Sequence, residues 1–260
     1  MTFETEGFAG SSAIKLRSDQ RKQHGKLLTF SDECASVALE VAGLLQTAKN
    51  KRQLIVGAFF ARCVTHFQGA TALAEVGMTL ESLSLSRGLL ETVFVMLAIA
   101  EDAVAPGELA GHDYASRVKH ANTLLNAKDY PNVEQFDDQL RHFVDQYVAS
   151  TTIDMREFAR RGYALAAYDG LYRHLSHHAA HPSLSAVDEY FEKGNDGLFR
   201  VRLRPLLNKT PAAILSASTA ILLACFACEK VGLQSPEASA TLSLTWDQCQ
   251  LLDQQYRPWA

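Results

Sequence analysis

The chain has 260 residues, 47% of them hydrophobic, and a formal net charge of −4. That is enough apolar side chain for one sizeable core or two closely packed ones, and the charge excludes a global attraction to nucleic acid or anionic membrane. A polyanionic partner would have to be met by a local patch.

The five cysteines, Cys34, Cys63, Cys225, Cys228 and Cys249, fall mostly within apolar helical patterns, which suits reduced thiols in a cytoplasm better than a disulfide frame. The N-terminus has neither a basic start nor an apolar stretch of signal-peptide length, so no export is expected. The first 29 residues read as a polar arm, partly disordered. Residues 30–256 then read as a single helical domain. Ser31 with Asp32 and Glu33 has the form of an N-cap and first turn, opening a helix to about Lys49. A second helix, from Leu54, stops at Gly77, a C′ residue by type. Thr79 caps a third that runs to Ala103. Helices follow over about 108–127, 132–149 and 153–180, broken at Pro131 and at Thr151-Thr152.

VDEYFEK and LFRVRLR, joined by GNDG, then predict a β-hairpin inserted at about 186–205, because the turn residues tolerate positive φ and the second arm alternates strictly. Thr210 and Pro211 form an N-cap and N1 pair for a helix to Cys228, and a last helix covers about 237–256. The fold class expected is all-α: a multi-helix bundle with a short hairpin insertion. Residues 211–228 carry no charge, the lower length limit for a membrane span, but six alanines and no aromatic belt favour a buried bundle helix. Cys225 and Cys228, with redox-motif spacing but no βαβ setting, read as packed core thiols.

Chemistry concentrates in two places. In LLETVFVMLAIA, apolar almost all round, Glu91 must be paired or hydrogen-bonded. Arg87 sits at i−4 and Ser84 a turn earlier, so the stripe is either a buried ion pair that sets helix packing or the lining of a cleft. The second place is LYRHLSHHAAHPSLSA, residues 171–186, where His174, His177, His178 and His181 share an arc of about 100° on a helical wheel. Tyr172, Leu175, Ser176 and Ala179 face the other way. Pro182 disfavours helix at His181 and can swing it toward the Tyr172-Ser176 side. Three readings stay open for the stripe: a metal site, for which no H-E-x-x-H or Glu-x-x-His repeat is present; a nucleolytic site, with arginine on phosphate and a histidine moving a ribose proton; and solvated polar surface.

Arg173-His174-Leu175-Ser176-His177-His178 fits the R-(N/H/D)-x-x-x-H signature and so resembles HEPN-type ribonucleases. That resemblance implies a metal-independent helical enzyme, usually dimeric, of toxin or anti-phage systems, with Arg173 and His178 at its centre. On SRGLLETVFVMLAIAED and YRHLSHHAAHPS the chain also resembles a bacterial helical family, domain of unknown function five-six-seven-seven, over about residues 50–230; this points to Arg87, Glu91, Tyr172, Ser176 and His181. On an ideal helix Arg173 and His178 lie about 140° apart and Arg173 and His177 about 40°, so a π turn or a helix end is needed to bring the first pair together.

The functional expectation is an RNA-cleaving enzyme, cytoplasmic, without cofactor or metal, homodimeric and not membrane-bound. Arg173 would bind phosphate, His177 or His178 would serve as acid-base, and Glu91 and His181 would complete the catalytic set beside Arg87, Tyr172 and Ser176 on the substrate. The alternative is a non-catalytic helical protein that binds a small ligand or protein partner through a polar cleft. Arg200, Arg202 and Arg204 share one strand face; cross-strand pairing with Asp188, Glu189 and Glu192 is expected to neutralise them.

Overall fold

The computed structural model describes residues 3–127, 133–181 and 183–256. It is an all-α bundle with one two-stranded hairpin. In chain order the helices are α1 (Phe3–Glu6), α2 (Ser11–Gln23), α3 (Gly25–Gly43), α4 (Lys51–Glu75), α5 (Thr79–Ala100), α6 (Pro106–Asn126), α7 (Asp137–Tyr147) and α8 (Met155–Arg161). A broken helix follows, with short α segments α9 (Leu165–Ala167) and α10 (Arg173–Leu175) alternating with π turns over Tyr168–Tyr172 and Ser176–Ala180. Then come α11 (Leu184–Val187), β1 (Phe191–Lys193), β2 (Phe199–Val201), α12 (Thr210–Lys230) and α13 (Pro236–Tyr256).

The core is α4, α5 and α12 packed against one another, with α3 and α13 flanking α12 and α8 on α5. Sequence explains why. From Leu89 to Ala100 only Glu91 among the residues of α5 escapes burial, and α12 buries small side chains such as Ala213, Ala217, Ala220 and Ala224 completely, which lets neighbouring helices approach closely. Among the described residues two helical stretches, Thr79–Ala100 and Leu207–Lys230, are long and apolar enough to cross a membrane, but both are mostly buried inside the bundle. All five cysteines are free and buried; burial pushes the Cys249 thiol up to about 11 and the other four higher still.

Several boundaries move. The arm expected to be partly disordered is helical and tied down: Gln20 is buried, and Arg17 and Arg21 pair with the buried Glu75 of α4. Ser31 is not a cap; α3 begins six residues earlier and the buried Ser31 hydroxyl meets Thr71 at 3.3 Å. Thr79 and Thr210 spend their hydroxyls on tertiary bonds, to the Leu206 carbonyl at 2.8 Å and the Gln20 amide oxygen at 3.0 Å. Gly77 does take the left-handed conformation expected of it, with φ 79°. The helix expected over 153–180 breaks at Gly162, where a Cβ would lie 2.7 Å from the Leu97 Cβ. The break at Pro131 lies outside the described residues.

The hairpin is shorter than expected. Residues 184–190 form helical turns, leaving Phe191 opposite Val201 and Lys193 opposite Phe199 around the GNDG turn, where Gly197 has φ 78°. Its arginines are all paired, but of the expected acids only Glu192 takes them, Arg202 at 2.7 Å and Arg204 at 3.8 Å, while Arg200 pairs with Asp196 of the turn and Glu189 with Lys209 at 3.1 Å. The opposite face carries exposed Phe199 and Val201.

Candidate functional site

The polar stripe of α5 meets the broken helix. Arg87 donates from Nε to Ser176 Oγ at 2.9 Å and from Nη2 to the Tyr172 hydroxyl at 3.1 Å, and its guanidinium sits 5.2 Å from the centre of the Tyr172 ring. The Tyr172 hydroxyl in turn donates a hydrogen bond to Glu91 Oε1 at 2.9 Å, which also accepts from Arg87 at 3.0 Å. A turn away, Ser84 Oγ donates to the Ala179 carbonyl at 2.9 Å. Four of the five residues that the family resemblance singles out therefore form one network, and they do so because Arg87 and Glu91 stand four apart on α5 while Tyr172 and Ser176 stand four apart opposite them. Burial, and then the Glu91 carboxylate, raise the Tyr172 pKa, so the phenol stays a donor. Aromatic packing fixes the ring: Tyr168 stacks on it at 5.0 Å and Phe94 meets it edge-on at 5.7 Å. Neither Phe94 nor Tyr168 stood out in the sequence, since an aromatic residue in an apolar helix pattern is ordinarily core.

The fifth residue, His181, is absent from the network. Its backbone is extended, with φ −91° and ψ 144°, its N–H reaches back to the Ser176 carbonyl, and its side chain is exposed. The helix thus ends at His181, as expected of a residue ahead of Pro182, which itself lies outside the described residues, but the His181 side chain does not join Tyr172 and Ser176.

The other three histidines gather on the solvent side of the same segment. The ring of His178 lies 4.5 Å from that of His174 and 4.7 Å from that of His177. Burial, followed by the neighbouring histidines and Lys209, lowers the pKa of His174; burial, then His177 and Lys209, lowers that of His178. Lys209, just ahead of α12, is a neighbour that only the fold supplies. Arg173 projects away from the core, its side chain 70% exposed and its guanidinium 3.8 Å from Asp169, also exposed. His177 and His178 take part in none of the hydrogen bonds of the Arg87 network. One shared cleft was expected; the residues divide into an inner network and an outer histidine group, on two faces of one helix. Among the described residues no three His, Cys, Asp or Glu side chains converge as a metal set.

The helix that carries both groups is not regular. Arg173 N–H bonds to the Tyr168 carbonyl and His181 N–H to the Ser176 carbonyl at 3.3 Å, both five residues back. Such π turns add a residue to a turn and re-aim side chains, and they recur at functional sites. Gly170, exposed in the first of them, lowers the cost of leaving α geometry.

A family model described as a family of unknown function (DUF5677) matches residues 53–198, from α4 through the hairpin turn. The chain belongs to this family. The match takes in α5, the broken helix and every residue of the network, and it ends before Lys209 and α12. No curated protein and no solved structure is similar enough to count as a match.

Proposed function

We propose that the chain is a HEPN-like, metal-independent endoribonuclease, acting as a homodimer in a bacterial cytoplasm in toxin or anti-phage defence. The observation that supports it is the outer face of the broken helix: an exposed arginine, Arg173, closes one i→i+5 turn, and His178, whose pKa is lowered by burial and then by His177 and Lys209, lies in the next, with the exposed His177 at its side. The two i→i+5 bonds run from Tyr168 to Arg173 and from Ser176 to His181, so the segment that carries Arg173 and His178 departs from regular α geometry at both ends, although neither bond spans that pair.

In this reading Arg173 holds a backbone phosphate; Lys209, beside His174 and His178, is itself paired with Glu189 at 3.1 Å. Neutral His178 takes the proton of a ribose 2′-hydroxyl, whose oxygen attacks the adjacent phosphorus; the bond to the 5′-oxygen breaks, and His177 supplies the proton that oxygen needs. The products are a 2′,3′-cyclic phosphate and a 5′-hydroxyl. The inner network of Arg87, Glu91, Tyr172 and Ser176 then positions the turn rather than touching the reacting atoms, and His181 has no assigned contact.

A non-catalytic binding protein is the second reading. It is favoured by the mutual saturation of Arg87, Tyr172 and Glu91, which is what a structural lock would show. Purified protein with end-labelled mixed-sequence RNA in EDTA separates the two. Cleavage reduced about 10²-fold or more in Arg173→Ala and in His178→Ala, and absent on 2′-deoxy substrate, supports the enzyme. Intact RNA with wild type at micromolar protein sinks it.

A further inference from the structure

Behind the first π turn lies a cleft of about 540 Å³ that the ribonuclease reading does not use. Its walls come from three elements: Leu171 of the π turn, Leu215 of α12, and Trp246, Gln250 and Asp253 of α13. The volume is in the range that small-molecule sites occupy, and an apolar wall with a few polar groups at one end is their usual composition. Trp246 is pre-set for contact, because Phe226 meets its ring edge-on at 5.6 Å and 83°. On the floor, Thr219 and Cys249 satisfy each other at 3.5 Å.

Charge decides the kind of occupant. Among the described residues no lysine, arginine or histidine lines the cleft, and Asp253 is the one charged side chain that does. Among the described residues Asp253 makes no ion pair or hydrogen bond, although almost every other charge facing the interior of this protein is paired, Glu75 with Arg17 and Arg21 and Glu91 with Arg87 among them. A phosphate or carboxylate ligand would meet this carboxylate uncompensated, which is a strong rejection. An ammonium would be compensated by it and could also lie over the indole face.

We propose that this cleft binds a small cationic amphiphile, an aryl- or alkylammonium compound, with its ammonium on Asp253 and its apolar body against Trp246, Leu171 and Leu215. Because Leu171 is the chain neighbour of Tyr172, an occupied cleft supports the π turn from the side opposite α5. The proposal is independent of whether the histidine face cleaves RNA.

The chain has two tryptophans, so a Trp259→Phe background leaves Trp246 as the sole indole reporter. Three probes of one size are titrated against it: 2-phenylethylammonium, the neutral 2-phenylethanol and the anionic 3-phenylpropionate. The expected result is a saturable change in indole emission with the amine, at least about tenfold weaker with the alcohol and weaker again with the anion. Asp253→Asn, a same-size change at a half-buried position that leaves the fold in place, should bring the amine and the alcohol to equal affinity. A non-saturable amine response, equal affinity for all three probes in the unmutated cleft, or an amine preference that survives Asp253→Asn overturns the proposal.

Discussion

Tyr172→Phe removes one oxygen and keeps the ring that Phe94 and Tyr168 pack against, so it isolates the hydroxyl at the centre of the inner network. That hydroxyl accepts from Arg87 at 3.1 Å and donates to Glu91 at 2.9 Å. Each is a bond to a charged partner, of a kind worth roughly 1.5–3 kcal/mol. The losses do not add. Arg87 and Glu91 still touch directly at 3.0 Å, and with side chains 22% and 32% exposed both can recover hydration. A net cost of about 2 kcal/mol is expected, which in a chain of this size lowers Tm by about 4–8 °C. Urea unfolding with an unchanged m-value measures it. The cycle with Glu91→Gln should show a coupling of about 1 kcal/mol, since the second change removes a bond the first has already broken. Strict additivity of the two substitutions, or a Tyr172→Phe cost below about 0.5 kcal/mol, would refute the idea that this hydroxyl ties α5 to the broken helix.

Gly162→Ala is expected to cost about 1–3 kcal/mol by overpacking, because the new Cβ would lie 2.7 Å from the Leu97 Cβ and 2.9 Å from the Ala98 nitrogen; a denaturation midpoint equal to that of wild type would mean that α8 slides off α5 freely. Stability should also depend on pH below neutrality. His174 and His178 titrate below the ordinary 6.5 in the folded chain, so the unfolded chain binds more protons there. Stability is therefore complete above about pH 6.5 and falls as pH drops through that value toward the folded pKa values. His24 and His66, lowered chiefly by burial, act in the same direction, so His174→Asn with His178→Asn should shrink the fall in Tm between pH 7.5 and 5.5 without abolishing it. An identical fall in that variant would remove the histidine group from the account.

Much of this was legible from residue type and spacing. Glu91 in an apolar helix required a partner, and Arg87 at i−4 is that partner, because a carboxylate cannot be left alone beside a core. The wheel separated Tyr172, Leu175, Ser176 and Ala179 from the histidines, and those four do face α5: Leu175 is fully buried, Tyr172 and Ser176 bond to Arg87, and the Ala179 carbonyl accepts from Ser84. Charge alternation in the hairpin anticipated that its arginines would be neutralised, but not the partners: Glu192 faces Arg200 in the register yet pairs diagonally with Arg202 and Arg204, and Arg200 takes Asp196 of the turn. Caps were less legible. Ser31, Thr79 and Thr210 have the right side chains to start helices, yet each hydroxyl found a tertiary partner, and a local signal carries no information about what a distant segment will offer.

Taken alone, the sequence determined the all-α class, the buried central helices and the two faces of the histidine segment, because burial pattern and helical period are local properties of a chain. The fold alone decided the rest. Two π turns interrupt a stretch that reads as continuous helix, His181 leaves the network that the family resemblance assigned to it, and Lys209 arrives beside His174 and His178 from the segment ahead of α12. The cleft under Leu171 likewise needs walls from three elements more than seventy positions apart at their extremes. Each of these depends on how helices distant in sequence pack together, and the packing energy that bends a turn or closes a cleft comes from residues that no local window contains.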